Sequence, residues 1–197
     1  MSGTNLLKAE PTSHCGKTNV WLTPRLLLNS LGPFDLDPCG CLGWDTAAKH
    51  FYEKDDGLHQ DWEGLAWVNP PYGNDVHHWV TRWAKHGNGF LLLAARTETQ
   101  WFRDAAFASD LICFPRKRIK FHPSDGSKRG SPAFPSVLFA AGAVASSRVM
   151  RINGLYWMPI QSASEIKKGD GDELPRRGLA VSDCSDRRGR ASETEPT

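Results

Sequence analysis

The 197-residue sequence lacks an apolar segment long enough to cross a bilayer. Its longest apolar run, Val137 to Ala145, is far shorter than the ~20 residues that a membrane-spanning helix needs. An excess of charge of one sign is also missing, since the formal net charge is only +2. The chain is therefore not a polycation that coats nucleic acid, and any contact with nucleic acid has to come from a local basic patch.

Paired cysteines are missing as well. The five cysteines are odd in number and irregularly spaced, and no signal-peptide pattern precedes them, so we expect reduced thiols in a cytoplasmic protein. Cys39, Cys41 and His50 lack the paired spacing of a zinc site, and no metal is expected. Nucleophile-elbow and phosphate-loop motifs are absent, so neither serine-hydrolase nor P-loop chemistry is expected.

The composition that is present indicates one folded domain with flexible ends. Forty per cent hydrophobic residues and eight tryptophans favour a packed core over general disorder. We expect residues 1–20, which are polar and aperiodic, to form a flexible arm, and residues 21–160 to form the domain. Residues 161–197 carry balanced charges and few large apolar groups, so we expect a disordered tail, the alternative being a tail that touches DNA.

Strand and helix patterns alternate along the domain. Apolar runs predict strands at residues 34–37, 65–68, 90–95, 111–114, 136–141 and 149–157. Helical spacing and capping signals predict helices at residues 24–31 (capped by Thr23 and ended by Gly32), 45–52, 76–86 and 99–108. This alternation is typical of an α/β domain with a mostly parallel sheet, in which ligands bind at the carboxyl ends of strands. Asp37 and Asn69 both stand at such ends and could face one cleft.

The segment Asn69-Pro70-Pro71-Tyr72 directly follows one of these apolar runs. The prolines donate no N–H and keep the backbone extended, so an amide and an aromatic ring are held at a strand end. The Asn69 side-chain oxygen and the Pro70 carbonyl are two acceptors that could bind both hydrogens of a planar –NH₂ group. They would localise its lone pair and aim it at an electrophile without a basic side chain. Tyr72 offers a ring for stacking, worth ~1–3 kcal/mol per base. The alternative is a strand that ends in a proline-rich turn.

This tetrapeptide resembles the signature of the amino-methyltransferases that use S-adenosylmethionine, above all the N-6 adenine DNA methyltransferases. RNA-methylating and glutamine-methylating relatives share it. The resemblance implies a class I methyltransferase-like (Rossmann-like), mostly parallel sheet flanked by helices in a single compact domain. It also implies catalytic roles for Asn69, Pro70, Pro71 and Tyr72.

Three upstream segments resemble the cofactor-binding motifs of the same family. In the segment 34–40, Asp37 matches the acid that holds the methionine amino group of S-adenosylmethionine, with Asp35 as second choice, although the usual glycine-rich loop is shortened. The Trp21-Leu22-Thr23-Pro24 segment resembles the motif that helps to bind the cofactor carboxylate at a helix start. Asp56 occupies the place of the acid that binds the cofactor's adenine amino group. Each segment taken alone is equally compatible with a turn or a helix cap.

The order of these motifs, all between residues 21 and 72, resembles the small phage and prophage N-6 adenine methyltransferases, and the likeness covers residues 20–145. It implies double-stranded DNA as partner, a flipped-out adenine as target, a bacterial or phage-infected cytoplasm, and a link to restriction-modification. The candidates for contacts with backbone phosphates are Arg96, Arg116, Lys117, Arg118 and Lys120. The polar loop 122–131 is the candidate for base reading, and a solvated surface is the alternative for each basic residue.

Two other functions stay open from the residues alone. The same chemistry could act on an RNA base or on a protein glutamine. A DNA-binding remnant without turnover is the other alternative, because the cofactor loop is short. Neither a membrane partner nor a particular oligomeric state is indicated by the sequence.

Overall fold

The computed structural model describes residues 21–123, 134–153 and 155–160. The expected arm 1–20, the expected tail 161–197 and most of the loop 122–131 lie outside the described residues. The helices are α1 (Arg25–Leu31), α2 (Val76–His86), α3 (Gln100–Phe107) and α4 (Ala143–Met150), with a 3-10 turn at Glu53–Asp55. The strands are β1 (Trp21–Leu22), β2 (Leu36–Asp37), β3 (Lys49–His50), β4 (Ala66–Val68), β5 (Gly89–Ala94), β6 (Leu111–Pro115), β7 (His122–Pro123), β8 (Ser136–Ala141) and β9 (Leu155–Pro159).

Seven strands form the central sheet in the order β3-β2-β4-β5-β8-β6-β9. Strands β3, β2, β4 and β5 are mutually parallel, and β8 is antiparallel to both β5 and β6. Strand β6 therefore points the same way as β2 to β5, and only β8 and β9 run the other way. This arrangement confirms the expected α/β class with a mostly parallel sheet flanked by helices.

The centre of the sheet is buried on both faces. Leu91 and Leu93 of β5 pack in the cluster that contains the apolar side chains of α2 and α3. Phe90 and Leu92 point the opposite way, into the cluster that contains those of α1 and α4. The continuous apolar run of β5 thus reflects helices on both sides of the strand.

The strand order reverses between β2 and β4. The chain leaves β2 for β3 on one side and returns as β4 on the other side of β2. Such a reversal opens a crevice at the carboxyl ends of the two diverging strands, where α/β proteins bind ligands. Asp37 ends β2 and Asn69 directly follows β4.

Two expected elements are wrong. Residues 45–52 form no helix, because the free edge of β2 takes up this segment as β3. The N–H groups of Lys49 and Phe51 donate to the carbonyls of Asp35 (3.0 Å) and Asp37 (2.9 Å). Residues 149–157 are not one strand, since Val149 belongs to α4, where it is buried one turn after Ala145, and β9 begins only at Leu155.

The start of α1 differs from the expected cap. Its N-cap is Pro24, whose carbonyl accepts from the N–H groups of Leu27 (3.0 Å) and Leu28 (3.2 Å), and no side chain caps the helix. The expected capping role of Thr23 is therefore wrong. Gly32 ends the helix as expected, and its N–H donates to the Leu28 carbonyl (2.8 Å).

The described helices are all too short or too polar to cross a membrane. Within the same residues, no group of three or more His, Cys, Asp and Glu side chains is placed to hold a metal ion. Cys39 and Cys113 carry free thiols.

Candidate active site

The carboxyl ends of β2 and β4 bring Asp37 and Asn69 to one crevice. The two strands pair directly and in parallel, with Leu36 beside Ala66. Cys39 lies beside Asp37 in this crevice, because its own N–H donates to Asp37 Oδ1 (3.0 Å). Burial, followed by the neighbouring Asp37 carboxylate, raises the pKa of the Cys39 thiol well above its usual range, so this thiol is neutral.

The Asn69 side chain is held by its amino half and leaves its oxygen without a partner. Nδ2 donates to the Trp21 carbonyl (2.6 Å) and to Thr23 Oγ1 (3.3 Å). Oδ1 is buried and accepts no hydrogen bond within the described residues. Buried acceptors are normally paired, so this unpaired oxygen at a strand end is available to an external donor.

Pro70 and Tyr72 continue the same edge. Pro70 is buried, Pro71 is exposed and the Tyr72 side chain is half-buried. Burial is the main cause that raises the pKa of the Tyr72 hydroxyl above its usual range, and nearby Cys39 adds to it. The phenol therefore stays neutral at physiological pH, which suits a stacking surface rather than an ionised base.

A cavity of about 370 Å³ opens beside Tyr72. It is lined in part by aromatic and cationic side chains from four separate segments, namely Trp21, Tyr72, Arg96, Trp101 and Phe134. The Arg96 guanidinium lies 5.3 Å from the Phe134 ring centroid and donates to Glu98 (2.8 Å). The volume of the cavity lies in the range of about 300–1,000 Å³ that is typical of small-molecule sites, and its aromatic rings suit a flat aromatic ligand.

Asp37 is a buried carboxylate that forms no ion pair with Lys or Arg among the described side chains. It is only 4 % exposed, and its Oδ2 accepts from the Thr46 hydroxyl. Burial raises the pKa of Asp37, although the bonds from Thr46 and Cys39 and the nearby His50 oppose the shift. A cationic ligand beside Asp37 would stabilise the ionised carboxylate, which burial disfavours.

The other acidic candidates occupy different positions. Asp35 lies before β2, at the opposite end of the strand from Asp37, and its Oδ2 accepts from the Leu65 N–H (2.6 Å). It is exposed and fastens β4 to β2, so the structure does not place it in the crevice. Asp56 is exposed and contacts the His59 ring (2.7 Å).

The turn that carries Asp56 nevertheless reaches the crevice. A Cβ at the next residue, Gly57, would lie 1.9 Å from the Pro38 carbonyl oxygen, so the two backbones are in contact. Pro38 directly follows Asp37. Only glycine allows this approach, and it sets Asp56 beside the loop that leaves β2.

The basic candidates lie at the same edge of the sheet. Arg96 follows β5, and the segment with exposed Arg116, Lys117, Arg118 and Lys120 follows β6, which points the same way. The Arg116 guanidinium lies 5.6 Å from the Tyr156 ring centroid. Immediately after this segment, β7 pairs with β1, placing Pro123 opposite Trp21. The basic segment therefore runs towards β1, whose Trp21 carbonyl binds the Asn69 side chain.

Sequence reasoning missed several residues of this site. Thr46 approaches Asp37 only because β3 folds beside β2, and no motif marks it. Trp101 and Phe134 line the cavity from distant segments. Only the resemblance to the methyltransferase family, which extends through residues 95–102 and 134–136, could have indicated Trp101 and Phe134.

Together, the strand order, the crevice at the strand reversal and the acceptor beside an aromatic cavity define an α/β methyltransferase-like enzyme. A family model described as "DNA N-6-adenine-methyltransferase (Dam)" matches residues 12–152. The chain belongs to this family and is a DNA adenine N-6 methyltransferase, a transferase. No curated protein and no solved structure matches the chain.

Proposed function

We propose that this methyltransferase takes its methyl group from S-adenosylmethionine and transfers it to the amino nitrogen of an adenine flipped out of double-stranded DNA. The observation that carries the proposal is the buried, unpartnered Oδ1 of Asn69 at the carboxyl end of β4. An adenine amino group has two hydrogens to donate. Oδ1 would accept one of these hydrogens and the Pro70 carbonyl the other. Both bonds would hold the nitrogen with its lone pair directed at the methyl group of S-adenosylmethionine.

The chemistry of the crevice fits the methyl donor. Asp37, buried without a Lys or Arg partner among the described residues, would hold the amino group of its methionine part. Trp21, Thr23 and Pro24 would flank the carboxylate, and Asp56 would accept from the amino group of its adenine. When bound, S-adenosylmethionine supplies a methyl group activated by a sulfonium sulfur, which departs as a neutral thioether.

The target base would occupy the cavity beside Tyr72. Base flipping costs a few kcal/mol of lost stacking, which the rings of Tyr72, Trp21 and Trp101 would offset. The exclusion of water from such a cavity strengthens the hydrogen bonds to Asn69. The neutral phenol of Tyr72 would not take up the amino proton, which would pass after transfer to water or to another nearby acceptor.

The duplex would lie along the edge at which the basic side chains emerge. Arg96, Arg116, Lys117, Arg118 and Lys120 would contact phosphates, which contributes affinity without sequence preference. We infer that the enzyme acts in the cytoplasm of a bacterial or phage-infected cell, where DNA and methyl donor are available. The compact phage-like spacing of the motifs supports a phage or prophage origin and a link to restriction.

The test is a methylation assay with labelled S-adenosylmethionine and unmethylated double-stranded DNA, followed by nucleoside analysis. We expect label in N-6-methyladenine, and loss of at least about 99 % of the rate in Asn69→Ala. Unlabelled DNA from an enzyme that binds the methyl donor would refute the proposal. RNA and total protein are included as substrates, because label found only there would transfer the chemistry to an RNA base or a glutamine.

A further inference from the structure

We propose that Thr23 is a positioning residue for the Asn69 amide, acting together with the backbone carbonyl of Trp21. These two acceptors bind the amino half of the amide, so that only Oδ1 faces the substrate. The inference rests on the proposed function, because it concerns the geometry of the same acceptor. It gives Thr23 a role towards the target base that is separate from any contact with the methyl donor.

The orientation of the amide follows from the chemistry of its partners. A backbone carbonyl only accepts hydrogen bonds, so the group 2.6 Å from the Trp21 oxygen has to be the Asn69 amino group. A half-turn of the amide would place Oδ1 against that oxygen, and two acceptors would then face each other. The Thr23 hydroxyl, 3.3 Å from Nδ2, takes up the second N–H.

Both partners are themselves held in place. Thr23 is 2 % exposed, and its carbonyl accepts from the Trp44 indole N–H (3.2 Å). Trp21 lies in β1, which pairs with β7, and its ring packs edge-on against buried Phe121 (6.3 Å). The anchors of the amide therefore belong to the folded frame, as a positioned catalytic group requires.

The Thr23 hydroxyl has no other structural role among the described residues. It does not cap α1, whose N-cap is Pro24. Its hydrogen bond with Asn69 is the only one that this hydroxyl forms within the described part of the chain. The buried Thr23 hydroxyl therefore binds Asn69, 46 residues further along the chain, instead of capping the helix that follows it.

The first test compares Thr23→Val with Thr23→Ser in single-turnover methylation. Valine keeps the branched shape and removes the hydroxyl, whereas serine retains it. Loss of the hydrogen bond to the Asn69 amino group predicts a rate about 3–10-fold lower for valine at saturating S-adenosylmethionine, with near-normal activity for serine. Thr81→Val is the matched control, because the Thr81 hydroxyl donates only to the His77 carbonyl on the exposed face of α2.

The second test reads the amide directly and needs no turnover. The side-chain ¹⁵N–¹H signals of Asn69, identified by their absence in Asn69→Ala, should move towards free-amide positions in Thr23→Val and remain in place in Thr23→Ser. Unchanged signals in Thr23→Val would overturn the proposal, as would a fall in activity explained entirely by a higher Kd for the methyl donor. A wild-type enzyme that methylates nothing would instead refute the proposed function, while the amide signals would still decide the role of Thr23.

Discussion

Asn69→Ala tests both the chemistry of the site and its stability, because the amide serves both. Its Oδ1 is the unpartnered acceptor proposed for the target base. Its Nδ2 donates to Trp21 and Thr23, which joins β1 to the end of β4. Alanine removes both functions at once, and the structure predicts a different magnitude for each.

The loss of the acceptor sets the effect on the rate. Positive charge develops on the attacking nitrogen, and removal of one preorganised hydrogen-bonding group of this kind lowers kcat by about 10²–10³-fold. The loss of the donor sets the effect on stability. The Trp21 carbonyl loses its partner, at a cost of about 1–3 kcal/mol in the free energy of unfolding. For a domain of this size that corresponds to a fall of about 3–12 °C in Tm.

The assay is single-turnover methylation of a duplex, measured well below the Tm of the variant and alongside thermal denaturation. Asn88→Ala is the matched control, because the Asn88 amide donates to the Gly64 carbonyl (2.9 Å) near the other end of the sheet. We expect the control to keep its rate and to lose less stability, because the Gly64 carbonyl keeps its hydrogen bond from His86 (2.9 Å). A rate for Asn69→Ala within about fivefold of the parent, with the fold intact, would refute the acceptor role.

Four further outcomes follow from the same geometry. Asp37→Asn should raise the Kd for S-adenosylmethionine at least about tenfold, since a buried charge pair is lost. Burial raises the pKa of Asp37, and the ammonium group of S-adenosylmethionine needs the ionised carboxylate. Calorimetry on the parent enzyme should therefore show full affinity for S-adenosylmethionine above that pKa and declining affinity as the pH falls through it. A flat pH profile would contradict the pairing. Lys117→Ala should weaken all duplexes equally and lower the slope of log K against log salt by about 1, and an unchanged slope would make Lys117 a solvated surface residue. Gly57→Ala should cost ~1–3 kcal/mol of stability, because its Cβ would meet the Pro38 carbonyl, whereas Gly73→Ala, with no atom within 4 Å of its Cβ, should not; equal melting curves would refute that contact.

Helices and strands whose buried side chains follow the period of the element were predictable from the sequence. Helix α2 buries Val76, Trp79, Val80 and Trp83, which are the positions at helical spacing. The apolar run of β5 is likewise covered on both faces. In these segments, the pattern of side chains and the tertiary structure favour the same backbone, so local reasoning is sufficient.

Segments that complete the edge of another element were not predictable in this way. Residues 45–52 have an acceptable helix pattern, but β2 offers unpaired backbone groups at its edge, and β3 satisfies them. The antiparallel position of β8 between β5 and β6 was equally invisible, because register and neighbour depend on contacts between distant segments. Tertiary hydrogen bonding outweighs local propensity in such cases.

The sequence by itself determined which chemistry this protein could perform. Asn69, Pro70 and Tyr72 in an extended segment after a buried strand are enough to indicate a site for a planar amino group, because proline restricts the backbone wherever it occurs. Only the tertiary structure decided how the amide is oriented. Its amino half is bound by a carbonyl 48 residues earlier in the chain, so the free end of Asn69 is set by a contact that no local pattern encodes.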